Sequence, residues 1–357
     1  MRRGIRVGVG FALTVACLFL GVVTAGAQST LKVQAGTATP DQAVQVIQFY
    51  PATLTVDVGD IVTWTEGAGE RHTVSFGTPP FLLNDPRVTA PAGGKSYDGT
   101  GFVSSGLIPP GPGPGYALTF TSTGTFDYQC LIHPGMVGTI VVQPAGAPYP
   151  ASDTTYTPSS DPRVAVAIQA GTAALRSQTV TTKLNADGTM TYTLNAGLGD
   201  GKTFVLMRFG ADSLTIHVGD TVTWVNNDPD EVHTVSFLNP GQNVSYILPN
   251  GQINPQATAP AGGSVYNGTG FFNSGILNPA RAPLPDQRAY SLTFAQAGVF
   301  AYECLLHANL GMTGTIQVLA REEGTLPRSG DVGLGAVGLL GLGLVGIGMA
   351  LRRLPGS

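Results

Sequence analysis

The sequence predicts an all-β protein built as two tandem β-sandwich domains, and three observations carry that reading. Charged residues are only 11% of the 357, while Gly (49) and Pro (26) are plentiful. That balance suits short strands joined by many turns rather than long helices with charged wet faces. Apolar residues alternate along short segments, as in strands with one buried face. Finally, the chain repeats itself.

Three blocks recur in the same order. LTVDVGDIVTWTEGAGERHTVSF (Leu54 to Phe76) matches LTIHVGDTVTWVNNDPDEVHTVSF (Leu214 to Phe237) with one inserted residue. TAPAGGKSYDGTGFVSSGLIPP (Thr89 to Pro110) matches TAPAGGSVYNGTGFFNSGILNP (Thr258 to Pro279). TGTFDYQCLIHPGMVGTIVV (Thr123 to Val142) matches AGVFAYECLLHANLGMTGTIQV (Ala297 to Val318) with two inserted. Loops of changing length separate the blocks, which marks duplication of a whole domain.

Each repeat reads as strands in turn. Leu54, Val56 and Val58 share a face, as do Val62 and Trp64 after the Gly59-Asp60 turn. Leu214, Ile216 and Val218, then Val222 and Trp224, do the same in the second repeat. Tyr116, Leu118 and Phe120 form a further strand, matched by Tyr290, Leu292 and Phe294. No amphipathic helix is legible, so the strands assemble as antiparallel sandwiches. The first domain is expected at 28–144 and the second at 163–320, with the Pro-, Ser- and Thr-rich segment 145–162 as linker. Val164 to Ala170 and the strands around the turn Asn185-Ala186-Asp187-Gly188 are expected at the second domain's edge. Trp64, Trp224 and Met207 are expected in the core, and His217 on a solvent-facing strand position.

The ends read as address labels. Arg2, Arg3 and Arg6 precede an apolar run, and Ala25-Gly26-Ala27 supplies a cleavage site, so 1–27 is expected to be a secretory signal peptide. Residues 332–351 are apolar throughout and long enough to span a bilayer, with Arg352 and Arg353 opening a basic tail at 352–357. The preceding segment, 321–331, contains LPRSG, which resembles the LPxTG signal read by sortases, with Ser329 in the usual Thr position. The expected location is the extracytoplasmic face, with C-terminal attachment to the membrane or, through a sortase, to the cell wall.

Between Gln28 and Thr325 there are 12 Lys+Arg against 21 Asp+Glu. Nucleic acid is excluded as a partner by that acidity. A basic protein partner is compatible with it.

Of three cysteines, Cys17 leaves with the signal peptide, and each repeat keeps one, Cys130 or Cys304. A secreted protein normally pairs its thiols, yet neither has a partner within its own repeat. The surrounding residues supply another use. The first repeat offers His72 upstream, then Cys130, His133 and Met136 as C-x2-H-x2-M; the second offers His233, then Cys304, His307 and Met312 as C-x2-H-x4-M. Two imidazoles, a thiolate and a thioether are the ligands of a blue-copper electron-transfer site. Cys ends one strand, the turn carries His, and Met begins the return; the first His comes from a neighbouring strand. A lone C-x2-H occurs by chance, but all four ligand types recur here in register. Zinc suits His2Cys but gains little from a thioether.

Both halves resemble cupredoxins of the plastocyanin and amicyanin kind. CLIHPGM is similar to amicyanin's short ligand loop, and CLLHANLGM has plastocyanin's longer spacing. The resemblance implies Greek-key sandwiches with two type 1 copper sites, one held by His72, Cys130, His133 and Met136, the other by His233, Cys304, His307 and Met312. It also implies electron transfer with redox partner proteins of unknown identity. Many relatives have Asn after the first His, where it braces the Cys loop; Thr73 and Thr234 stand here. Short-loop relatives also imply that His133 is the freer of the two loop histidines. An oxidase-type enzyme needs further copper held by extra histidines, some flanking the Cys. Cys130 lies between Gln129 and Leu131, Cys304 lies between Glu303 and Leu305, and only His217 is spare. The chain is therefore expected not to be an enzyme. Copper storage or delivery is the alternative, though the Met- or Cys-rich tracts that suit it are absent from the sequence.

Overall fold

The computed structural model describes residues 28–321 except 80–85, 112, 151–160, 251 and 280–286. The expected signal peptide, the LPRSG segment, the apolar run 332–351 and most of the linker lie outside the described residues. Among the described residues no helix is long and apolar enough to cross a membrane.

The repeated Val-Gly-Asp turns fold alike. Asp60 accepts the backbone N–H of Asp57 at 2.8 Å and of Ser29 at 2.8 Å. Asp220 accepts those of His217 and Met190, both at 2.9 Å. Each carboxylate thus ties its turn to the start of another strand, Thr30–Ala38 in the first repeat and Met190–Gly199 in the second. Beyond the turns, Ile61–Glu66 and Thr221–Asn227 run alongside Thr30–Ala38 and Met190–Gly199 respectively, in parallel. Thr53–Asp57 and Ser213–His217 are parallel to Val137–Gln143 and Thr313–Leu319. The sandwiches are therefore mixed rather than purely antiparallel. The chain crosses between layers after one strand, which brings strands of the same direction together.

Between the layers of each repeat lies an aromatic cage. Trp64, Phe76 and Tyr128 meet with centroids 5.1–5.9 Å apart, and Trp224, Phe237 and Tyr302 with centroids 5.2–6.0 Å apart. Both tryptophans are fully buried, as expected, and His217 is exposed.

The repeats do not sit as separate bodies. Val44–Tyr50 pairs antiparallel with Phe204–Leu206, placing Phe204 opposite Val46, Val205 opposite Gln45 and Leu206 opposite Val44. One 11-stranded sheet consequently runs through both repeats, and the compact unit of the chain continues to Ala320. Val205 and Met207 belong to the core of the first repeat, as does Leu310. Met207 is buried as the sequence implied, but in the other repeat's interior.

Val164 to Ala170 is not an edge strand. It lies within the helix Pro162–Arg176. Asp161 caps this helix, accepting the Arg163 N–H at 2.9 Å, and Pro162 occupies the first turn, where it forfeits no hydrogen bond. The helix lies over the joint, with Ala167 packing on Val46 and Tyr50, and Ala174 and Leu175 on Val44, Phe204 and Leu206. The strands around the 185–188 turn do pair as a hairpin, Thr181–Leu184 with Met190–Gly199.

Candidate metal centre

In the first repeat the strand Gly124–Gln129 leads directly into Cys130. The ligand loop closes through two backbone bonds: Cys130 N–H donates to Met136 O at 2.9 Å, and Met136 N–H donates to His133 O at 2.8 Å. His72 arrives on a separate segment, where Ile108 N–H donates to its carbonyl at 2.9 Å. The side chains converge. The Nδ1 atoms of His72 and His133 lie 3.0 Å apart, and Cys130 Sγ is 3.5 Å from His133 Nδ1. His72, Cys130, His133 and Met136 are all completely buried.

The second repeat builds the same arrangement. Cys304 follows the strand Gly298–Glu303, and its N–H donates to Met312 O at 3.0 Å. His233 and His307 bring their Nδ1 atoms to 3.3 Å, with Cys304 Sγ 3.9 Å and 3.5 Å away respectively. In each repeat the donor atoms of the His–Cys–His trio lie within 4.8 Å of one another. The longer loop makes room for a short 3-10 turn, Ala308–Leu310, closed by Gly311. Leu310 reaches the first repeat's core, and Arg208 clamps the loop by donating to Leu310 O at 2.8 Å and Asp41 O at 2.6 Å.

Thr73 and Thr234 do brace the Cys loops. Thr73 Oγ1 accepts the Leu131 N–H at 2.7 Å while its own N–H points at Cys130 Sγ, 3.3 Å away. Thr234 does likewise, at 2.8 Å to Leu305 N and 3.4 Å to Cys304 Sγ. A hydroxyl thus fills the bracing position for which the family resemblance implies Asn.

Two glycines clear the space behind the upstream histidines. A Cβ on Gly36 would stand 2.4 Å from His72 Nε2, and one on Gly197 would stand 2.2 Å from His233 Nε2. Both backbones have positive φ, 67° and 127°, so any side chain there would be strained as well as obstructed.

The charges suit a metal. Burial alone would raise the Cys130 thiol, yet the positive charge of His133 and hydrogen bonds with both imidazoles hold it well below its ordinary value. Cys304 is treated in the same way by His307 and His233. Both shifts run toward the thiolate, the form that binds metals. Both cysteines are free of disulfides. Two imidazole nitrogens, a thiolate and a neighbouring methionine form a donor set with the softness and number that copper requires.

The family model for copper binding proteins of the plastocyanin/azurin family matches residues 37–143. A chloroplastic plastocyanin from Tetradesmus obliquus is 30% identical over 125 residues, which are 34% of this chain and 77% of that protein. The chain belongs to the plastocyanin/azurin family of copper binding proteins. Amicyanin from Paracoccus denitrificans is 33% identical over 90 residues, covering 25% of this chain and 54% of amicyanin. A solved mutant plastocyanin of fern aligns over 31% of this chain and 99% of its own, at 20% identity and a TM-score of 0.22.

Two carboxylates, Glu231 and Glu70, stand behind the loop histidines and were not among the expected site residues. His133, expected to be the freer loop histidine, is buried, and its Nε2 lies 2.9 Å from Glu231 Oε2. His307 Nε2 lies 3.3 Å from Glu70 Oε2. The signal was present, because Glu stands two residues before the upstream His in both repeats, as Glu70-Arg71-His72 and Glu231-Val232-His233. Its significance depends on which repeat each Glu faces, and only the assembled fold reveals that.

Proposed function

We propose that this chain is an extracytoplasmic electron carrier with two type 1 copper sites, one at His72, Cys130, His133 and Met136, the other at His233, Cys304, His307 and Met312. The observation that carries the reading is that the buried His–Cys–His trio, with Met beside it, is built twice from residues in the same register. Copper, when bound, supplies a one-electron Cu(I)/Cu(II) couple. The protein's own part is to fix the donors. The Thr hydroxyls hold each Cys loop, the glycines leave the upstream rings their place, and the sandwich restrains movement between the two oxidation states. Complete burial of the ligand residues in the first site favours retention of the metal over storage and delivery. An oxidase-type reaction lacks the histidines for another copper, since the sequence holds one beyond these four, His217.

Copper titration of the chain spanning 28–325 tests this. Saturation at two ions, each adding the intense visible band of Cu–thiolate bonding, is expected. Saturation without that band would refute the type 1 assignment. For the location, removal of 332–357 is expected to release the protein into the medium. Retention of the truncated protein at the membrane would assign the anchor to the N-terminal segment instead.

A further inference from the structure

One more cluster of buried donor groups lies outside the two ligand trios: Glu70, Glu231 and the far nitrogen of His307. Both carboxylates are more than nine-tenths buried. Each belongs to the segment that delivers its own repeat's upstream histidine, yet each reaches the loop histidine of the other repeat. Glu231 touches both loop histidines. Its Oε2 is 2.9 Å from His133 Nε2 and its Oε1 is 3.6 Å from His307 Nε2. Glu70 Oε2 lies 3.3 Å from His307 Nε2. The carboxylates are held where they are by further buried groups. Gln45, at the strand joint, accepts the N–H groups of Gly69 and Glu70 at 3.1 and 3.2 Å. Asp228 accepts those of Asp230 and Glu231 at 2.9 and 2.8 Å.

The tautomers follow from this placement. In both loop histidines Nδ1 faces the cysteine sulfur, 3.5 Å away, and Nε2 faces a carboxylate. An imidazole that ligates through Nδ1 keeps its proton on Nε2, where a carboxylate is the natural acceptor. A buried carboxylate touching both rings also places fixed negative charge next to both sites, in surroundings that screen it poorly.

We propose that Glu231, assisted by Glu70, joins the two sites into one redox unit, positioning both loop histidines and carrying the shortest path for an electron between them, His133–Glu231–His307. This rests on copper occupying both sites. The exchange is balanced: one site loses the electron that the other gains, no bond is made or broken, and both Nε2 protons stay in place. The fixed negative charge favours the more positive oxidation state, so it lowers both potentials.

The test uses copper-loaded protein and the isosteric variants Glu231→Gln and Glu70→Gln, with Cys130→Ser and Cys304→Ser to assign signals. In Glu231→Gln both potentials should rise, and electron exchange within the half-reduced protein, followed after pulse radiolysis, should slow on the order of tenfold. Glu70→Gln should raise the second site's potential more than the first's. In the Cu(I) form, the Nε2 proton resonances of His133 and His307 should both shift in Glu231→Gln. Two blue coppers with potentials and exchange rate unchanged by Glu231→Gln would overturn the inference while leaving the copper reading intact. A third metal ion per chain, lost in that variant, would overturn it too, by making the carboxylates ligands. Absence of blue copper in the unaltered protein would instead defeat the reading on which the inference rests.

Discussion

Cys130→Ser protein should bind one copper in place of two and retain only the second site's visible band. Cys304→Ser should show the complementary loss. A hydroxyl in the position of Sγ keeps the packing but removes the thiolate, which is the strongest donor for copper and the source of the charge-transfer absorption. The unaltered site retains all four of its own ligand residues, because no ligand is exchanged between repeats. The carboxylates that reach across from the other repeat touch the histidines from behind. The measurement is metal content per chain alongside the visible spectrum. If either single change emptied both sites, the two coppers would have to share ligands across the repeats, and independent sites would be ruled out.

Val205→Asp should destabilise the whole molecule, not merely the repeat that contains it. Val205 is fully buried in the first repeat's core while its backbone belongs to the second. Losing its burial costs about 1.5–3 kcal/mol, and a carboxyl without a partner in that place adds several more. On the order of 10 °C should be lost from the melting midpoint of the metal-free protein. Val299→Asp, at a valine that is 69% exposed, should shift it little. Fluorescence can follow each repeat separately, with Trp224→Phe leaving Trp64 as reporter and Trp64→Phe leaving Trp224. Both reporters should move to lower temperature together in Val205→Asp. Movement of the Trp224 signal alone would mean that the joint does not couple the repeats.

The parts of this molecule that were legible in the sequence are those where chemistry or alternation repeats locally. His72, Cys130, His133 and Met136, with their counterparts, stand out because soft and nitrogen donors recur in register while the loops drift. Trp64 and Trp224 stand out because a large apolar residue closes an alternating run. The helix Pro162–Arg176 was hidden for a physical reason: its inward positions include the small residues Ala167 and Gly171, while Val166 faces solvent at 66% exposure. Small buried residues leave no apolar stripe, and Val164 and Val166 mimic the alternation of a strand. The pairing of Phe204–Leu206 with Val44–Tyr50 was hidden because alternation shows which face of a strand is buried, but not which edge finds a neighbour. Glu70 and Glu231 were hidden by that same joint, since their meaning lies wholly across it.

The joint has a property that follows from its register. Val44, Gln45 and Val46 correspond in the repeat to Phe204, Val205 and Leu206, and the observed partners are Val46 with Phe204, Gln45 with Val205, and Val44 with Leu206. Each position meets the counterpart of its own partner, as happens where two identical subunits associate about a two-fold axis. The exchanged carboxylates obey the same relation, Glu231 on His133 and Glu70 on His307. At this joint the molecule therefore has the local geometry of a homodimer interface, held within one polypeptide. Separate subunits would part on dilution. A covalent tether instead keeps their effective concentration fixed, in the millimolar range for short flexible linkers. A single chain keeps its two halves face to face regardless of how few copies surround it.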